Sequence, residues 1–148
     1  MSLLSQLDND LKSAMIARNS ELTDLLRLLK AALKNEMIGL KKQDLTDEEV
    51  FKVLKREAKK REDSIPLFTS GNRPELAAKE QAELALIKKY LPAELSEDKI
   101  REIVESVIAE LGASSPSQFG LVMKAAMAKA GGQADGGVVS RVVKEILK

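Results

Sequence analysis

Three stretches of this 148-residue chain carry side chains whose types and spacing could do chemistry. The first is acidic. Glu48-Glu49 and Glu62-Asp63 are adjacent carboxylates, the residue type that hydrolases and metal sites use in pairs. Neighbours on a helix point about 100° apart, so neither pair converges on one substrate, and nothing singles out a Mg²⁺ site. The second is basic, Lys55-Arg56 followed by Lys59-Lys60-Arg61. On a helix Arg56, Lys59 and Lys60 share one face, with Lys52 a turn earlier, and that strip could contact phosphates. Glu49, Glu57 and Glu62 partly neutralise it, and a solvated charged face is the commoner meaning of such a run.

The third stretch is the glycine-rich corner Gly131-Gly132-Gln133-Ala134-Asp135-Gly136-Gly137, which with Gly120 holds five of the eight glycines of the chain. As structure, Gly131-Gly132 stops one helix and Asp135 caps the next. As function, open amides at the start of the last helix lie beside Lys124 and Lys129, where bare glycines let a phosphate backbone approach closely. Physics alone favours the structural meaning.

Composition removes much else. The chain has no cysteine and no histidine, which excludes disulfides, thiolate metal sites and the commonest general base near neutral pH. There is no phosphate-binding loop, dinucleotide fingerprint or nucleophile–histidine pairing, so neither a catalytic residue nor a cofactor is expected. A net charge of +1 gives no global field that attracts nucleic acid, and 3% aromatics leaves little for base stacking, so any RNA affinity must come from local patches.

The elements that position these stretches read as helices throughout. Leu3, Leu4, Leu7, Leu11 and Met15 recur at helical steps behind Ser2, and Leu22, Leu25, Leu26, Leu29, Ala32, Leu33 and Met37 follow a break at Asn19-Ser20, which predicts a helical hairpin. Thr46-Asp47-Glu48-Glu49 is a capping box that starts a third helix, expected to stop or kink by Ile65 because Pro66 follows. Asn72 is expected to cap a fourth that runs to Leu91-Pro92. Ser96 opens a fifth, closed by Gly112; Ser115-Pro116 opens a sixth; and Asp135 caps a seventh carrying Val138, Val139, Val142, Val143, Ile146 and Leu147. No strand-type alternation arises. The chain is predicted to be all-α, with residues 1–92 as paired long helices and 93–148 as a three-helix bundle. No window reaches the length of a membrane helix, and the first residues lack the order of a signal peptide, so the expected compartment is the cytoplasm.

Several spaced motifs agree in order with a known family. Arg27-Leu28-Leu29-Lys30-Ala31 with Asn35-Glu36, Lys60-Arg61-Glu62-Asp63-Ser64, Tyr90-Leu91-Pro92-Ala93-Glu94-Leu95-Ser96, and Gly120-x-Val122-Met123 with Gly132-Gln133-Ala134-Asp135-Gly136 resemble the YqeY family across the full chain. Residues from about 94 onward are also similar to the tail of the B subunit of the glutamine-dependent aspartyl/glutamyl-tRNA amidotransferase, a helical appendage that engages tRNA. The resemblance implies a tRNA-binding or amidotransferase-associated protein, with a glutamine-dependent carbon-nitrogen ligase as the activity attached to the family. Carried onto this chain, it points to Lys124, Lys129, Gly131, Gly132, Gln133, Asp135 and Gly136 as the RNA-binding corner, with Arg56, Lys59 and Lys60 as a second contact. The chain departs from the family pattern at Leu121 and Gln133, where basic residues are usual, and at Pro66. The expected partners are tRNA or a tRNA-linked amidotransferase, and no membrane. A reading of another class is an interaction module that docks on an enzyme through an apolar groove between the two units.

Overall fold

The computed structural model describes residues 1–131 and 133–148; Gly132 lies outside the described residues. Seven α-helices and one 3₁₀ turn run in the order α1 (Leu3–Ile16), α2 (Ser20–Leu40), α3 (Asp47–Ser70), α4 (Pro74–Lys88), α5 (Glu97–Leu111), the 3₁₀ turn (Pro116–Gln118), α6 (Phe119–Ala130) and α7 (Gly136–Ile146), with no strand among the described residues. The chain is all-α, as its periodicity predicts. It divides into two compact units, Met1–Leu91 and Pro92–Lys148.

In the first unit α1 packs on α2 and α3, α2 on α3, and α3 on α4. Leu7, Leu26, Leu29, Val50, Leu54 and Ile87 are fully buried, and each leucine so removed from water contributes about 1.5–3 kcal/mol. The caps are those the sequence signals: Ser2 Oγ accepts from Ser5, Asn19 Oδ1 from Leu22, and Thr46 with Glu49 forms the reciprocal box at the start of α3. Asp47 also accepts from the amide of Leu3 at 2.9 Å, which joins the starts of α3 and α1. Met15, expected on the inner face of the first helix, is half exposed, and Ala14 is buried instead.

Three boundaries differ from expectation. Helix α3 does not stop before Pro66 but continues one more turn to Ser70. Proline removes a single backbone donor, and the flanking residues stay helical, with Ser64 and Thr69 hydroxyls donating to the carbonyls of Lys60 and Ile65. Asn72 is not the cap of α4: it adopts the left-handed conformation (φ 58°), and Arg73 precedes Pro74 with extended-side geometry and no side-chain cap. That helix ends at Lys88, short of Pro92, in tight turns from Tyr90 to the carbonyl of Ile87 and from Leu91 to that of Lys88.

A feature invisible in the basic run sits between α3 and α4. Arg61 and Glu57 are buried, 5% and 6% exposed. The Arg61 guanidinium donates to the Glu57 carbonyl at 2.9 Å, to its carboxylate at 3.1 Å, and through Nε to Glu83 at 2.9 Å. Burial alone would push the Glu57 carboxyl up, but hydrogen bonds from Lys60 and Arg61 outweigh it and hold it below its usual range.

In the second unit α5, α6 and α7 all touch one another around Ile100, Val104, Val107, Val122, Ala126, Val139, Val142 and Val143. Ser96 caps α5, and Gly112 closes it in the left-handed conformation (φ 64°). The sixth helix does not begin directly at Pro116: a 3₁₀ turn intervenes, with Gln118 Oε1 accepting from Ser114 and Ser115 and so replacing a simple serine cap.

Candidate nucleic-acid interface

The corner between α6 and α7 is built from backbone constraints. Gly131 ends α6 at φ 62°, ψ −138°, a conformation closed to residues with a Cβ. Ala134 is buried, and the chain on either side is fastened: Gln133 N–H donates to Ala130, and the Gln133 carbonyl accepts from Leu95 at 2.8 Å. Asp135 caps α7, its carboxylate accepting from Gly137 N–H at 2.7 Å. A Cβ on Gly137 would lie 3.1 Å from that carboxylate oxygen, so the cap itself favours glycine there, whereas Gly136 has open space apart from Met127 at 4.0 Å. The Gly137 amide, expected to lie open, is thus occupied from within the chain.

The lysines of the corner divide. Lys129 does not face it: its ammonium donates to Ser106 at 2.8 Å and Glu110 at 2.9 Å on α5, and this hydrogen bond holds the Glu110 carboxyl below its usual value. Lys124 is exposed and has no ion pair among the described residues. Of the second set, Arg56 pairs with Glu36 at 2.6 Å, Lys59 with Asp63 at 3.1 Å and Lys60 with Glu57 at 3.0 Å, so each cation of that strip stands against a carboxylate. The paired acids behave likewise: Glu49 serves the α3 cap and Lys42, Glu62 lies 3.9 Å from Lys88, and no group of three or more acids among the described residues could hold a metal ion.

The outward face of α7 holds what the sequence reading missed. Gly137, Ser140, Arg141, Lys144, Glu145 and Lys148 line a shallow groove of about 370 Å³. Arg141 is held by Glu97 at 2.9 Å and Glu145 at 3.2 Å, while the Lys144 ammonium stands 5.7 Å from the centre of the Phe119 ring and Lys148 is exposed. The signal lies in the spacing: Arg141 and Lys144 stand one helical step apart on the side opposite Val139, Val142 and Val143, and Lys148 follows just past the last turn.

The comparisons with known proteins agree with the motifs. Residues 4–147 match the family described as Yqey-like protein, and the chain belongs to that family. Among curated proteins it is similar to the "Altered inheritance of mitochondria protein 41, mitochondrial" of Saccharomyces cerevisiae, 36% identical over 88 residues that make up 60% of this chain and 48% of the yeast protein. The proteins of the same name from Lachancea thermotolerans and Clavispora lusitaniae are 33% identical over 117 residues and 37% over 116, covering 77% and 76% of this chain and 62% and 66% of theirs. The chain thus spans about half the length of the first of these relatives. No helix of the described residues is long and apolar enough to cross a membrane.

Proposed function

We propose that this Yqey-like protein binds structured RNA, tRNA foremost, along the outward face of α7, by neutralising phosphates rather than by reading bases. The observation that carries the reading is the pair Lys144 and, just past the helix end, Lys148, neither in an ion pair among the described residues, which with Arg141, shared with Glu97 and Glu145, leads away from the Asp135-capped start of α7. Lys124 adds a cation on α6. The resemblance of this unit to the amidotransferase tail supports the choice of tRNA. Asp135 and the corner residues Gly131, Gln133 and Gly136 act as the scaffold that fixes α7, and Lys129 helps to fasten α6 to α5 rather than to meet the ligand. The chain would act as a docking protein for tRNA or a tRNA-linked amidotransferase.

Filter binding of a tRNA transcript to the full chain across a salt series tests this. Affinity is expected to fall with salt with a log–log slope of about −2 to −3, as three phosphate contacts require, and to drop about tenfold or more in Lys144→Ala/Lys148→Ala. Salt-independent binding, or a double variant that binds like the parent, overturns the reading. Arg56→Ala/Lys60→Ala, whose cations already have carboxylate partners, is expected to change affinity far less.

A further inference from the structure

The first unit carries a cleft of opposite character. Between the start of α2 and the length of α4 lies a cavity of about 470 Å³, and the residues that face it recur at helical steps on both sides. From α2 come Leu25 and Leu28, from α4 Ala78, Ala82 and Leu86. Leu28 is 47% exposed, and the two alanines, both exposed, leave the floor open where larger side chains would close it. Around this apolar floor stand Glu21, Asp24 and Glu75, none in an ion pair among the described residues, against the single ammonium of Lys79. Glu83 also reaches the cleft, but its carboxylate is held by the buried Arg61.

We infer that this cleft docks a basic amphipathic helix of a partner protein. The shape selects a helix. Two facing helices with an apolar floor accept the apolar stripe of a third, as in helix-in-groove recognition, where anchors at i, i+3, i+4 and i+7 enter the groove. The rim selects the charge: three free carboxylates flanking the floor attract lysines and arginines beside the apolar stripe, and they repel the phosphates of an RNA.

The test uses the full chain and a synthetic peptide of about 18 residues, leucines at helical spacing and lysines elsewhere, long enough for some five turns. Two controls accompany it, the same composition scrambled and a leucine–glutamate version. Fluorescence anisotropy is expected to show the ordered basic peptide binding about tenfold or more tighter than either control. The largest amide shifts of ¹⁵N-labelled protein are expected at Leu28, Ala78 and Ala82. Asp24→Lys/Glu75→Lys is expected to abolish the preference, and Ala82→Trp, which fills the floor without altering charge, to weaken the same peptide while leaving tRNA binding at the parent level. Equal binding of the scrambled peptide, amide shifts confined elsewhere, or indifference to both variants overturns the inference. So does self-association of the chain that Asp24→Lys/Glu75→Lys disperses, since the occupant would then be a second copy.

Discussion

Each unit is braced internally by its own arginine–glutamate cluster, one buried and the other exposed. In the first unit Arg61 bridges Glu57 on its own helix and Glu83 on α4, with side-chain exposures of 6%, 8% and 20%. In the second, Arg101 and Arg141 link Glu97 on α5 with Glu145 on α7, at 2.7 to 3.7 Å, with every member at least a third exposed. The contacts are alike in chemistry and distance; the surroundings are not. Water screens the outer cluster and replaces any partner that is lost, so it sets register more than stability. The inner one is largely shielded from solvent, so an arginine without its acids, or an acid without its arginine, keeps a poorly solvated charge. Contact lists alone would rank the two equally, and burial decides between them.

The contrast can be broken at several points. Arg61→Ala is expected to be the most damaging, about 3 kcal/mol in urea unfolding, because it takes the partner from Glu83 and leaves the buried Glu57 with Lys60 alone. Replacing the triad as a whole with apolar residues of similar volume is expected to recover most of that loss, and failure to recover would show that the cluster also specifies the packing. Tyr90→Phe comes next. The Tyr90 hydroxyl donates to Asp10 at 2.6 Å, and its loss is expected to cost about 1–2 kcal/mol by the same measurement. Asp135→Ala, which uncaps α7, is expected to cost about 1 kcal/mol. Arg101→Ala should leave the denaturation midpoint at moderate salt unchanged, and a large shift would erase the distinction between the two clusters.

The inner cluster also responds to pH. The Glu57 carboxyl is held below its usual 4.5, so it binds a proton less readily folded than unfolded. The stability it supplies is fully present above about pH 4.5 and is lost as pH falls through its folded value. Glu57→Gln is expected to flatten that acid limb in chemical denaturation while lowering stability at neutral pH.

The helical plan was legible because it rests on local physics. Apolar residues at three- and four-residue steps, Thr46 with Glu49, Ser96 and Gly112 act within a turn of themselves, and each appears where its chemistry requires. What local reading missed depended on neighbours distant in sequence. Arg61 sits in a run of charges and looks solvated, yet it shares a buried stripe with Val50, Leu54 and Glu57 and reaches Glu83 on α4. Lys129 looked available to a ligand because Glu110, its partner, is nineteen residues away. Helix α3 does not stop at Pro66 because one missing donor near the end of a 24-residue helix is a smaller loss than ending the helix there.

The contact between Tyr90 and Asp10 has an optical consequence. Tyr90 is the chain's one tyrosine and there is no tryptophan, so nearly all absorbance at 280 nm comes from a single phenol at the end of α4. Burial, together with the Asp10 carboxylate, holds that phenol well above its usual ionisation range. Phenolate absorbance rising in alkali therefore reports opening of the first unit, with no label attached. The same scarcity of chromophores means that even a small amount of bound nucleic acid would dominate the ultraviolet spectrum of the purified protein.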